Sequence, residues 1–288
     1  MFQPTFICDA HAHVMTPARI RGGIRWMKRA YPDYFLSEET TEEDILKEMQ
    51  LAGVRAFFNY FYPLKPGESK ELNAWQRDFA RREPRAIPFA SLHAGDPEKK
   101  EIIRQALDEE GLYGFKFHPY VQGFHLSDPA LEEVYGELAQ RSCPVIFHTG
   151  FAEFYGLPPV RDELRMVLER FPRLTVVAAH MVFPDIPFSE IFGWLDKYPC
   201  LYLDATNVFA NLAGPNSKEG EELVRSLEKH SNRVVFGSDY PMGYAPLAAT
   251  YRQALKYCAT PEVAEDIFWR TVLNIIRGYK RDFNFTFF

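Results

Sequence analysis

Eight short apolar runs punctuate the chain, at residues 6–9, 54–60, 86–93, 113–118, 144–148, 174–180, 201–205 and 234–239. After a longer first interval their ends recur about 25–35 residues apart, the spacing of βα units. Several are almost wholly apolar, as parallel strands are when helices cover their outer face. The segments between them carry helix punctuation. Thr41-Glu42-Glu43-Asp44 opens a helix with Ile45, Met49 and Ala52 on one face and Gly53 beyond it. Asp96-Pro97-Glu98 offers an N-cap aspartate with proline at the first helical position, and Gly111 closes that helix. Asp128-Pro129 repeats the entry signal ahead of Leu131, Val134, Tyr135 and Leu138 at helical spacing. No Gly/Ser linker, charge block or sequence repeat divides the 288 residues. The pattern predicts an α/β protein of one domain, residues 1–288: a (β/α)8 barrel whose tail after Thr260 adds further helix.

Composition narrows the function classes. Apolar residues make up 47% and charged residues 25% of the chain, an ordinary globular balance. The net charge of −6 argues against nucleic acid as a partner, because such binders present a basic face. No apolar run approaches the ~18 residues of a membrane span, and the first residues lack a signal-peptide pattern, so a cytoplasmic protein is expected. Cys8, Cys143, Cys200 and Cys258 form no CxxC pair, and most sit in apolar runs, so they read as buried free thiols. The apolar tail 283–288 is expected to pack on its own barrel or, in a homodimer, on a second subunit.

The chemistry gathers at the ends of the runs. Asp9-Ala10-His11-Ala12-His13 closes the first run, and two histidines two residues apart on an extended strand point the same way. Both imidazoles can therefore reach one metal ion, for which zinc, iron, nickel and copper are suitable partners. Read in order, the other ends carry Tyr60, His93, Lys116 with His118, His148, His180, Asp204 and Asp239. Of the 8 histidines, only His125 and His230 lie away from a strand end. Active sites of such barrels lie at that rim, where scattered structural histidines would not collect.

At these residues the chain resembles the amidohydrolase superfamily, in its branch of small TIM-barrel metal-dependent hydrolases and decarboxylases. The motifs are Asp9-Ala10-His11-Ala12-His13, Gly114-Phe115-Lys116-Phe117-His118-Pro119, Ile146-Phe147-His148-Thr149-Gly150, Val177-Ala178-Ala179-His180 and Phe236-Gly237-Ser238-Asp239-Tyr240-Pro241. The resemblance implies one divalent ion, zinc or manganese, held by His11, His13, His148 and Asp239, with His180 beside it. Asp239 would be the general base and His180 would orient the water or polarise a carbonyl. Lys116 reads three ways: a carboxylated bridge between two metals, a substrate contact, or a structural ion pair. His118 shares its face. Asp204 either orients a ligand histidine or caps its loop.

The first βα connection, residues 14–39, is long, basic and aromatic, with Arg19, Arg21, Arg25 and Trp26 among its residues. An arginine there would clasp a small anionic substrate, with solvated helix as the bland reading. Phe151, Phe154, Tyr155, Tyr240 and Tyr244 suggest an aromatic-walled pocket, Tyr240 as a substrate contact. The leading expectation is hydrolysis of a small lactone, ester or amide by metal-activated water, a lean that His148-Thr149-Gly150 strengthens. The alternative is metal-dependent, non-oxidative decarboxylation of an aromatic or unsaturated acid. A metal-free lactonase or an inactive binding barrel stands further back.

Overall fold

The computed structural model describes residues 3–285. Its strands are β1 (Cys8–Ala12), β2 (Ala56–Asn59), β3 (Ala86–Pro88), β4 (Phe115–Phe117), β5 (Val145–His148), β6 (Val176–Ala179), β7 (Leu201–Asp204) and β8 (Val234–Val235). Each pairs in parallel with its sequence neighbours, as two runs, β1-β2-β3 and β4 through β8. Isolated bridges, Ala90 to Phe115 and Ala12 to Tyr240, join the runs at both seams. The second seam is reinforced by Ala10 N–H to the Phe236 carbonyl and Asp239 N–H to the His11 carbonyl, each 2.8 Å. The result is the expected (β/α)8 barrel with helices after its last strand.

All eight expected strands are present, and the differences lie at their ends. The first strand runs through the polar motif instead of stopping at Asp9, because Ala12 pairs with Asn59 after a register shift beyond Asp9. β3 spans only Ala86–Pro88, although Phe89 N–H still bonds the Asn59 carbonyl and Ala90 bridges to Phe115, so His93 lies past the strand. β8 keeps only two residues, since pairing with β7 stops at Asp204–Val235.

Helix α1 (Pro17–Ala30) fills much of the long first connection, and α2 (Glu42–Leu51) follows it. Thr41 and Asp44 form a reciprocal capping box on α2. Asp96 does not cap the helix Lys99–Arg104; it is buried and accepts from Gly67 N–H (2.7 Å), His93 N–H (2.9 Å) and the Ser69 hydroxyl. Three donors hold it more firmly than an exposed cap site would. Asp128 accepts from Ala130 N–H at 2.8 Å and opens a short turn before the helix Glu132–Gln140.

One apolar cluster packs the helices on the barrel's outside and includes Phe115, Phe117, Val145 and Phe147. A second gathers Phe58, Phe89, Ile146 and Val177 with Val272 and Ile276 of the terminal helix. This alternation sends Lys116 and His148 inward while their neighbours face the helices. Of the apolar tail, Phe285 stacks on Phe6 (4.6 Å) and Phe283 meets Tyr113 edge-on (5.4 Å), so these residues pack on their own barrel; residues 286–288 lie outside the described part. The four cysteines are free, three of them buried. Among the described residues no helix is long and apolar enough to cross a membrane.

Candidate metal centre

Three of the residues singled out in the sequence meet at the C-terminal mouth: His11, His13 and Asp239 place ligand atoms within 4.8 Å of one another. Their orientation is set from behind. His11 Nδ1 lies 2.5 Å from the Asp204 carboxylate, and His13 Nδ1 lies 2.7 Å from the Tyr60 carbonyl. Both partners are acceptors, so both rings carry their proton on Nδ1 and turn Nε2 toward Asp239. The Nε2 atoms lie 3.3 and 3.0 Å from Asp239 Oδ1. Two lone pairs and a carboxylate oxygen facing one another need a cation between them, and a divalent ion suits that donor set. The residues present therefore fit a metal. Asp204 is the orienting residue, itself held by Thr206 N–H (2.9 Å) and the Thr206 hydroxyl.

The charges are shared accordingly. Burial and Lys116 oppose protonation of His11, but Asp204 and Asp239 outweigh them and raise its pKa. Burial would raise Asp239, yet the facing His11 and His13 hold it well below the ordinary carboxylate range. The same balance, dominated by His11, lowers Asp204.

The mouth is built on strained backbone. Among the described residues, six of the seven non-glycine residues with left-handed φ follow strands β5 to β8: Phe151, His180, Met181, Val182, Asn207 and Asp239. Such conformations cost energy and persist where the surroundings over-determine them, typically at functional sites. Close approach adds a second constraint at Gly237, where a Cβ would lie 2.1 Å from Thr206 Oγ1 and 2.4 Å from His11 Cβ.

His148 stands apart from the group of three. His180 Nδ1 donates to the Thr206 carbonyl (3.0 Å), which leaves His180 Nε2 to accept from His148 Nδ1 (3.1 Å). The relay strips His148 Nε2 of its proton, and that buried lone pair has no hydrogen-bond partner among the described residues. Burial and neighbouring His118 keep His148 neutral, well below the usual histidine range, and burial with His11 pushes His180 down to about 4. His118 stacks on His148 at 3.7 Å. Lys116 is wholly buried, lies 4.7 Å over the Tyr60 ring, and its Nζ has no hydrogen-bond partner among the described residues. Burial pushes it down to about 8, against the pull of Asp204 and Asp239.

These groups open onto a cavity of about 550 Å³ lined by His13, Lys116, His118, His148, His180 and Asp239. Phe151, Phe154, Tyr155 and Tyr244 supply the expected aromatic wall. Tyr240 does not line the cavity; its backbone is held in the β1 seam and its side chain is buried elsewhere. Helix α1 flanks the mouth, but its basic residues divide. Arg19 lines the cavity with its guanidinium already spent on the Tyr62 carbonyl (2.8 Å) and Glu68 (3.0 Å). Arg25 pairs with Glu38 on the exposed side (2.9 Å), and neither it nor Arg21 reaches the mouth. His93 is absent too, its Nδ1 accepting from Gly95 N–H at 3.0 Å. Asn207, not among the residues expected at the site, donates Nδ2–H to Asp239 Oδ2 at 2.7 Å. Its signal was available: asparagine tolerates the left-handed turn just past a strand end.

Fold and site together define a metal-binding TIM-barrel enzyme. The chain belongs to the amidohydrolase family, whose model matches residues 8–272. No curated protein matches the chain. Among solved structures it is similar to an uncharacterised TIM-barrel protein from Bordetella bronchiseptica, with 22% identity, 96% of this chain and 99% of that one covered, and a TM-score of 0.75. It is also similar to 5-carboxyvanillate decarboxylase from Sphingomonas paucimobilis, at 15% identity, 94% and 99% coverage and a TM-score of 0.69. The enzyme of that name from Novosphingobium aromaticivorans, solved with manganese and 4-hydroxy-3-methoxy-5-nitrobenzoic acid, matches at 14%, 94% and 96%, with a TM-score of 0.67.

Proposed function

We propose that this protein is a metal-dependent, non-oxidative decarboxylase of an aromatic carboxylic acid. The observation that carries the reading is the pairing of an unpartnered, wholly buried Lys116 ammonium with aromatic walls directly beside the His11–His13–Asp239 group. A planar aryl acid supplies what that surface lacks: an anionic oxygen for the ammonium and a ring for the walls. Two of the similar structures named above are decarboxylases of such acids, which supports the same choice.

His11 Nε2, His13 Nε2 and an Asp239 oxygen would hold the ion, and the bare His148 Nε2 would complete the set. A divalent ion there supplies positive charge that stabilises the substrate's oxygens. A proton drawn from solvent reaches the ring carbon that bears the carboxylate. The C–C bond then breaks, its electron pair restores the aromatic ring, and carbon dioxide leaves, while Asp239 stays the carboxylate that would hold the ion. Asn207 aims the carboxyl group through Oδ2. His180 is a positioning residue, because it fixes the tautomer of His148.

The expectation of hydrolysis drew on Thr149-Gly150, and the fold gives those residues other work. The Thr149 hydroxyl donates to the Ala179 carbonyl (2.6 Å) and accepts from Val182 N–H (3.2 Å), away from the cavity. The test is a panel of hydroxybenzoates and lactones offered to protein loaded with manganese or zinc. Carbon dioxide release from a hydroxybenzoate, reduced at least ~100-fold in Asp239→Asn with native circular dichroism, is the expected result. Lactone hydrolysis without any carbon dioxide release would replace the reading with metal-dependent hydrolysis.

A further inference from the structure

Beyond the reacting carboxylate, we infer that the site selects monoanionic acids carrying a bulky apolar substituent, which Gly22 of α1 admits. The inference rests on the decarboxylase reading for the aryl acid and on the cavity for the substituent.

The charge census comes first. One arginine and one lysine line the cavity, Arg19 and Lys116. Arg19 is saturated by Tyr62 and Glu68, and its guanidinium sits over Phe61 at 5.5 Å. The Lys116 ammonium has no hydrogen-bond partner among the described residues. With a divalent ion in place, its two charges would be balanced by the Asp204 and Asp239 carboxylates that face His11 and His13. That leaves Lys116 to receive one anionic group, and a second carboxylate would be buried without a partner.

Space and polarity come next. About 550 Å³ is a volume for a drug-sized ligand, well beyond a bare benzoate ring. The polar groups sit at depth, with Lys116 0% exposed and His13 7%. Toward solvent the lining turns apolar, and its outer members, Trp26 at 42%, Leu64 at 55% and Val121 at 37%, are open to water. Apolar side chains left exposed around a concave mouth are a surface that an apolar ligand covers favourably. Gly22 is part of this upper wall, and a Cβ built on it meets nothing within 4 Å. A side chain there would project into space the protein leaves open. Its neighbour Gly23 differs, because a Cβ there would lie 2.7 Å from Met242 Sδ.

Equilibrium binding tests the inference without requiring turnover. Benzoate, 4-propylbenzoate, 4-hexylbenzoate and benzene-1,3-dicarboxylate are titrated calorimetrically into metal-loaded and metal-stripped protein. Affinity should rise about three- to fourfold per methylene that enters the cavity, and the dicarboxylate should bind more weakly than benzoate. In Gly22→Leu, which also replaces a poor helix former, the ratio of hexyl to unsubstituted affinity should collapse toward one. Lys116→Met should weaken every acid about tenfold or more while keeping the chain-length slope. A flat series in the native protein, a slope that survives Gly22→Leu, or tighter binding of the dicarboxylate would overturn the inference. A slope without carbon dioxide release would remove the decarboxylase reading and keep this one. Release with a flat series would do the reverse.

Discussion

At the scale of single residues, the metal centre depends on side chains that never touch substrate. Asp204 fixes the ring of His11 through a 2.5 Å contact to Nδ1, and only a ring so turned offers Nε2 to the ion. Asp204→Asn keeps the shape but leaves a weaker, neutral partner behind the ligand. Metal affinity should fall about 10–100-fold, read by competition with a chelator, while the fold persists. An unchanged affinity would mean that His11 is oriented by packing alone. Gly237 is the matching steric case. Gly237→Ala drives a methyl group into His11 Cβ and Thr206 Oγ1. Overpacking of this kind costs about 1–3 kcal/mol, and here the displaced groups are a ligand and the holder of Asp204. The variant should lose both melting temperature and metal binding, and native values for both would show that the mouth can yield.

At the scale of elements, helix α1 joins stability to recognition. Ile20 and Ile24 are buried on one side, while Ala18, Gly22 and Trp26 line the cavity on the other. Ile24→Ala opens a void beneath the helix and should cost about 2–5 kcal/mol in denaturant unfolding. Less than ~1 kcal/mol would mean that α1 rests only lightly on the barrel. This element also marks how much the sequence revealed. Strands could be read because buried parallel strands are continuously apolar, and the capping box at Thr41 because it is a local contact. The ends were less visible, since ladder pairing decides them: Asn59 draws β1 past His11, and the pairing of β3 fades after Ala90, short of His93. The convergence of His11, His13 and Asp239 followed from their places at strand ends. The split between Arg19 and Arg25 did not, because partners such as Glu68 and Glu38 come from tertiary folding and helix phase. Tyr240 misled for a related reason. Its position after Asp239 points to the mouth, yet the barrel seam claims its backbone.

At the scale of the whole molecule, the segment leading into β1 is tied to the helices that follow β8, and one carboxylate makes the knot. Glu265 accepts from Thr5 N–H (2.7 Å), the Thr5 hydroxyl (2.8 Å) and the Trp269 indole N–H. Phe6 meets Trp269 edge-on at 6.3 Å and stacks on Phe285, so the knot also aligns an apolar contact. Burial pushes the Glu265 carboxyl up, but the hydrogen bonds from Trp269 and Thr5 prevail and hold it below its ordinary value of 4.5. The sign follows from linkage. A carboxyl whose pKa is lowered by folding binds its proton more tightly in the unfolded chain, so its stabilisation is present above pH 4.5 and lost as pH falls through the lowered value. Glu265→Gln removes the charge and with it this part of the pH dependence. Melting temperatures recorded from pH 7 to pH 3 should therefore converge: the variant is less stable near neutrality, and its deficit shrinks toward acid. A deficit that stays constant over the whole range would mean that the charge contributes nothing and that the hydrogen-bonding shape alone joins the two segments.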